Sequence, residues 1–211
     1  MCSSDLVTTK LTNSEQGYDA TMRAFDASMG KLGLDVLDLF LIHWPLPMFD
    51  QYVDTWRAFE KLQADGRIRS IGVSNFESEH FERLFAETSV VPAVNQVELH
   101  PQFPQAELRA YHEDHGILTE SWGPLGQGKG ILENEHIQSV ARAKGKTPAQ
   151  VVLRWHVQLG LLVIPKSVTP ARIAENIDVF DFELDDDDLA TIAKVDTGVR
   201  VGADPRTFDR R

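Results

Sequence analysis

Val36-Leu37-Asp38-Leu39-Phe40-Leu41-Ile42-His43-Trp44-Pro45 decides the fold. Residues 36–42 are apolar except for Asp38, which suits a parallel strand covered on both faces rather than an alternating half-exposed one. His43-Trp44-Pro45 then stops the strand and leaves an imidazole and an indole at its exit. Comparable runs occur at residues 6–9 before Lys10, 68–74, 93–98, 117–121 before Trp122, and 161–165 before Lys166-Ser167. Helical spacing fills the gaps. Ala20, Ala24, Ala27 and Leu32 form one stripe, and Val53, Trp56, Phe59 and Leu62 form another, stopped by Asp65-Gly66. Residues 78–85 and 105–115 follow. The stretch 148–159 has Thr147 as N-cap, Pro148 at the first position and Gly160 as its stop. The tract Asp185-Asp186-Asp187-Asp188 reads as a helix start capped by Asp185, since carboxylates suit the positive end of a helix dipole.

Repeated strand–helix units give either an open doubly wound sheet or a closed (β/α)8 barrel. An open sheet gathers its chemistry at one switch point, usually behind a Gly-rich turn after the first strand. No such fingerprint follows residues 6–9. Every strand here exits into polar or aromatic residues, as a barrel's catalytic face requires. About six strands are legible where a closed barrel has eight. The expected fold class is therefore α/β, an incomplete (β/α)8 barrel.

The 211 residues carry 21 Lys+Arg against 32 Asp+Glu, a net charge of −11. That balance argues against nucleic acid or an anionic membrane as the principal partner, and leaves room for one local basic pocket. One cysteine excludes a disulfide framework and a thiolate zinc site. No apolar run approaches the ~18–20 residues of a membrane helix, and no leader opens the chain. A cytoplasmic monomer acting on a small molecule is expected.

His43 is the first candidate, because an imidazole at a barrel strand exit beside an indole wall can act on a ligand, although a lone His is more often structural. Lys10, brought near it, would lower the pKa of a neighbouring acid or bind an anion. Lys166, Ser167 and Arg172, on a short strand–helix connection, make an anion site, most naturally for phosphate, with Glu175 and Asn176 on a nearby face. Trp122, followed by Gly123-Pro124-Leu125-Gly126, offers an aromatic face and a backbone that a pyrophosphate can approach. His112 and His115 sit three apart on a helix, but with no third ligand placed, no metal is expected. A serine-hydrolase reading fails for want of a nucleophile elbow.

Val7-Thr8-Thr9-Lys10-Leu11, Asp38 to Pro45, Gly72-Val73-Ser74-Asn75-Phe76, Val94 to Pro101 and Ile164-Pro165-Lys166-Ser167 together resemble the aldo/keto reductases. Glu120 to Gly128 and Asn176 to Phe182 look most like the bacterial 2,5-diketo-D-gluconic acid reductases. The resemblance implies NADPH-dependent reduction of a ketone or aldehyde on a (β/α)8 barrel. It assigns Lys10 and His43 to catalysis, and His43 and Trp44 to the substrate pocket. Ser74, Asn75 and Gln96 match the groups that hold the nicotinamide carboxamide, and Trp122 the ring that stacks on it. Gly123, Pro124, Leu125 and Gly126 fall in the cofactor loop. Lys166, Ser167, Val168 and Arg172 match the 2′-phosphate clamp, and Glu175 and Asn176 the adenine contacts.

The family's proton-donating Tyr and its Asp lie on segments before the strand that carries Lys10. Tyr18, Tyr52 and Tyr111 match neither position, so a NADP-binding barrel without turnover stays open as an alternative. A phosphosugar enzyme on the same barrel is disfavoured by Ser74-Asn75. Cys2-Ser3-Ser4-Asp5-Leu6 is what the tail of a common sequencing adapter encodes in one frame. Residues 1–6 are therefore expected to be a non-native start, with a single incomplete barrel domain over residues 7–211.

Overall fold

The computed structural model describes residues 6–211. The expected non-native start lies outside the described residues apart from Leu6. In chain order the elements are β1 (Thr8–Leu11), α1 (Tyr18–Leu32), β2 (Leu37–Ile42), α2 (Tyr52–Ala64), β3 (Ile68–Ser74), α3 (Ser78–Glu87), β4 (Val94–Glu98), α4 (Ala106–Asp114), β5 (Leu118–Trp122), α5 (Glu135–Lys144), α6 (Pro148–Gln158), β6 (Leu162–Val163), α7 (Pro170–Ile177) and α8 (Asp186–Ala193). The strands follow one another in sequence order, β1 to β6, and each described ladder is parallel. The chain divides into two compact units. One holds the described residues up to 96 with 110–118 and 203–211, and the other holds 97–109 and 119–202.

In the first unit the two-residue period of β2 explains its continuous apolar run. Phe40 and Ile42 face one way, with Ile71 and Val73 of β3, onto Phe25 of α1, Trp56 and Phe59 of α2, and Phe81 and Leu84 of α3. Phe40 stacks on Phe59 at a centroid distance of 4.4 Å. Full burial of one such side chain stabilises by about 1.5–3 kcal/mol. Leu39 and Leu41 face the other way and cluster with Val94. Asp38, the one polar interruption, accepts the Val7 N–H at 2.9 Å and pairs with Arg69. The Val7 hydrogen bond is the main reason its carboxyl sits below the ordinary carboxylate pKa.

The first strand is displaced from the expected 6–9. Its ladder runs from Thr8 opposite Leu39 to Leu11 opposite Ile42, so Lys10 lies within the strand rather than beyond it. Val7 precedes the ladder: its N–H donates to Asp38 Oδ2, while its carbonyl accepts from Leu39 N at 3.2 Å.

In the second unit α6 begins as the sequence predicts. Thr147 Oγ1 accepts from Gln150 N at 3.2 Å, Gln150 Oε1 accepts from Thr147 N, and Pro148 opens the helix. Asp185 caps α8 by the same reciprocal arrangement with Asp188. The helix α5 has no counterpart in the expected elements, although its signals are present. The Asn134 side chain caps its N-terminus, and Gly145 ends it at φ 64°. Its Ile137, Val140 and Ala141 pack with Val151, Val152 and Trp155 of α6 and Ile192 of α8. β6 is shorter than the expected 161–165: its ladder pairs Glu120 with Leu162 and Ser121 with Val163, and Ile164 N reaches Ser121 O only at 3.5 Å.

Candidate functional site

The strand register of the first unit sets its candidate residues in rows. Lys10 is paired with Leu41, and Leu41 with Gly72. One pleat further on, Ser74 is paired with Gln96, and His43 directly follows β2. The period of two therefore sends Lys10, His43, Ser74 and Gln96 to the same face at the C-terminal ends of four adjacent strands. Gly72 is required within this face, since a Cβ there would lie 2.7 Å from Leu41 Cδ2 and 2.7 Å from Val94 O.

Ser74, Asn75 and Gln96 form a buried polar knot. Ser74 Oγ donates to Gln96 O at 2.7 Å, and Asn75 N donates to the same carbonyl at 2.9 Å. Asn75 Nδ2 donates to His43 O at 2.9 Å and to Ser74 Oγ at 3.1 Å. Asn75 holds φ 62°, the left-handed region that non-glycine residues seldom occupy. Strain of this kind persists where the surroundings fix it, and it concentrates at functional sites. Much of the His43 surface is exposed, yet the protein around the ring still desolvates it. That desolvation, and then the Lys10 ammonium, hold its pKa below the usual histidine value.

Trp44 stands beside His43, with ring centroids 6.4 Å apart. Its carbonyl accepts from Gln16 Nε2 at 2.7 Å, and its indole packs on Phe208 with centroids 4.2 Å apart. Sequence reasoning missed both Gln16 and Phe208. Neither lies in a periodic element, and Phe208 belongs to an irregular tail that folds back onto the first unit.

In the second unit Trp122 is the last residue of β5. The turn behind it bends through Gly123 at φ 64° and Gly126 at φ 67°. A Cβ on Gly126 would meet Ile131 Cδ1 at 2.3 Å, so only glycine fits. Gly123, Pro124, Leu125 and Gln127 line a concavity of about 330 Å³ with Pro165 and Lys166. A second concavity of about 500 Å³ shares Leu125 and Lys166 with it, and adds Ser167, Arg172, Glu175 and Asn176. Thr147, the α6 cap, lines this second space and donates through Oγ1 to Glu175 Oε1. Arg172 is the third residue of α7 and exposed. Val168 lines neither concavity and is 80% exposed. The mixture of two cations, carboxamide and carboxylate acceptors, and glycine-lined walls fits a dinucleotide's phosphates and base.

His112 and His115 diverge. His112 Nε2 lies 2.9 Å from Asn95 Nδ2 in the interior, while His115 stacks on Tyr111. All three tyrosines fall on helices. Tyr18 and Tyr52 open α1 and α2, and Tyr111 on α4 donates to Glu82.

The aldo/keto reductase family model matches residues 4–197. The chain belongs to the aldo/keto reductase family. This aldo/keto reductase chain is 61% identical over 201 residues to an aldo-keto reductase of Mycolicibacterium smegmatis, covering 95% of this chain and 73% of the relative. It is 52% identical over 203 residues to the methylglyoxal reductase DkgA of Escherichia coli K12, covering 96% and 73%. Among solved structures, a Gox0644 variant in complex with NADPH superposes with a TM-score of 0.93 at 57% identity, covering 96% of this chain and 75% of that one. The strand–helix alternation is that of the family's (β/α)8 barrel, with six strands among the described residues. No helix among the described residues is long and apolar enough to cross a membrane.

Proposed function

We propose that this aldo/keto reductase chain binds NADPH and serves the reduction of a ketone or aldehyde to an alcohol. The observation that carries this reading is the set of four strand ends in the first unit, where Lys10, His43, Ser74, Asn75 and Gln96 share one rim. When bound, NADPH supplies the hydride for the carbonyl carbon. His43 then orients the carbonyl: with its pKa held low, the ring is neutral near pH 7, and its N–H is free to serve a carbonyl oxygen rather than to trap an anion. The Lys10 ammonium stabilises the negative charge that develops on that oxygen, and a solvent water supplies the proton that completes the alcohol. Ser74, Asn75 and Gln96 fix a carboxamide through donors and acceptors that are already oriented, so little reorganisation is left to pay on binding. Trp122 offers its face to a planar ring. Lys166, Ser167 and Arg172, which line one concavity, hold a 2′-phosphate, and Glu175 and Asn176 an adenine; Val168 stands outside that lining. Trp44, braced by Phe208, walls the substrate.

The substrate we assign is a small aldehyde or 2-oxoaldehyde, or a sugar-derived diketone of the 2,5-diketogluconate type. The DkgA likeness supports the first, and the motif Glu120–Gly128 the second. A cytoplasmic monomer is part of the same reading. A second reading, NADPH binding without turnover, is favoured by one observation: none of the three tyrosines lies at a strand end, so no phenol is positioned beside Lys10 and His43 to protonate an alkoxide.

NADPH titration followed by tryptophan emission, together with NADPH oxidation on added methylglyoxal, separates these readings. Quenching with weak turnover supports the second reading for these residues. Quenching with robust turnover that His43→Ala abolishes supports the first. Absence of quenching removes both.

A further inference from the structure

Glu98, at the end of β4, is 1% exposed, and both of its carboxylate oxygens are engaged within the second unit. Oε1 accepts the Val201 N–H at 2.5 Å and faces His100 Nε2 at 3.0 Å, while Oε2 accepts the Gly202 N–H at 2.8 Å. His100 is itself buried, and its Nδ1 meets no donor or acceptor among the described residues, so the tautomer with hydrogen on Nε2, donating to Glu98, fits the pair. Burial alone would raise the Glu98 pKa, but the His100 hydrogen bond and the two backbone N–H groups outweigh it, and the carboxyl is held below its ordinary value. A buried carboxylate satisfied in this way is costly to neutralise.

The segment it grips is fastened elsewhere too. Thr197 N donates to Gln102 O at 3.0 Å, and the Arg200 guanidinium lies 4.7 Å over the Phe103 ring. The last link presses on the indole. A Cβ on Gly202 would stand 2.6 Å from Trp122 Cη2 and 2.8 Å from Glu98 Oε2, so the turn touches the ring edge as closely as a glycine allows.

We propose that Glu98 is a positioning residue for Trp122: by clamping the Val201–Gly202 backbone against the indole edge, it fixes the ring for stacking on the nicotinamide. This rests on the reading of Trp122 as the stacking ring. The clamp acts through backbone, so it requires a carboxylate at 98 and no side chain at 202. Its contribution falls on the nicotinamide end of the ligand and leaves the adenosine end untouched.

The test compares NADPH with adenosine 2′,5′-bisphosphate, which lacks the nicotinamide, by calorimetry on Glu98→Gln, Gly202→Ala and Trp122→Ala. Glu98→Gln replaces one acceptor oxygen with an NH₂ that opposes a backbone N–H, and Gly202→Ala drives a methyl into the ring. Both are expected to weaken NADPH by about tenfold, the scale of one aromatic–base stack, while the bisphosphate changes by less than about twofold. Equal weakening of both ligands, or no change in either, overturns the clamp. Should Glu98→Gln fail to fold, Gly202→Ala decides alone. If Trp122→Ala leaves the ratio of the two affinities unchanged, the stacking assignment fails and takes the clamp with it. If Trp122→Ala moves the ratio and the other two variants do not, only the clamp fails.

Discussion

Lys10 is paired in register with Leu41, two residues before His43, and its ammonium depresses the imidazole pKa across adjacent strands. Desolvation is the larger cause of that depression and the Lys10 charge the smaller. Lys10→Met, which keeps the stem and removes the charge, should therefore raise the His43 pKa only part of the way to its ordinary value. An NMR titration of the His43 ring reads this directly. A fall, or no movement, contradicts the proximity that gives both residues their roles.

The interior histidines predict acid sensitivity. His80 accepts the Glu77 N–H on Nδ1 at 2.9 Å, and His112 Nε2 faces Asn95 Nδ2. Burial pushes both pKa values down to about 4. Protonation would break these contacts and bury a charge. Because the folded pKa lies below the unfolded one, the unfolded state binds more protons between about pH 4 and 6.5, and stability falls as pH falls through that window. Each ring contributes a slope of up to roughly 1.4 kcal/mol per pH unit there. Urea midpoints that stay level from pH 7 to pH 5 would contradict this.

Asn75 combines two demands on one residue: a left-handed backbone and side-chain donors to His43 O and Ser74 Oγ. Asn75→Gly removes only the donors, whereas Asn75→Ala removes the donors and adds about 1–2 kcal/mol of left-handed strain. The alanine variant should be the less stable of the two in denaturant unfolding by about that amount. Equal stability would mean that the turn relaxes and is not fixed by its neighbours.

Much of this architecture is legible in the residues. Asp38 to Pro45 announces a covered strand with a polar and aromatic exit, and Thr147-Pro148 and Asp185 announce their helices, because caps and apolar periods are local signals. The displaced β1 was not legible. A ladder's register is set by its partner strand, and nothing within residues 6–11 says that Val7 will turn to Asp38. Helix α5 was locally written, in Asn134, the Ile137–Ala141 spacing and Gly145, but the glycine-rich stretch before it masks the start. Phe208 on Trp44 and Gly202 on Trp122 were beyond reach. Both are contacts between an irregular tail and a distant strand end, and no period predicts them.

Arg172 tests the phosphate assignment most directly. The chain carries a net charge of −11, and at physiological salt distant carboxylates are screened beyond roughly 8 Å, so an anion is held by whatever cations stand within reach of it. Lys166 and Arg172 are the two that line the concavity of about 500 Å³ in the second unit. Lysine offers a point charge and arginine a planar fork that matches a phosphate's oxygens. Arg172→Ala should therefore cost about 1.5–3 kcal/mol of NADPH binding, roughly ten- to a hundredfold in Kd, because charge-assisted hydrogen bonds carry that much. NADH, which has a hydroxyl where NADPH has the 2′-phosphate, should lose almost nothing. Arg172→Lys should fall between the two, keeping the charge and losing the fork. Calorimetric Kd values for the two dinucleotides on the three proteins measure the discrimination. An equal loss for NADPH and NADH would move Arg172 off the 2′-phosphate and onto groups that both dinucleotides share.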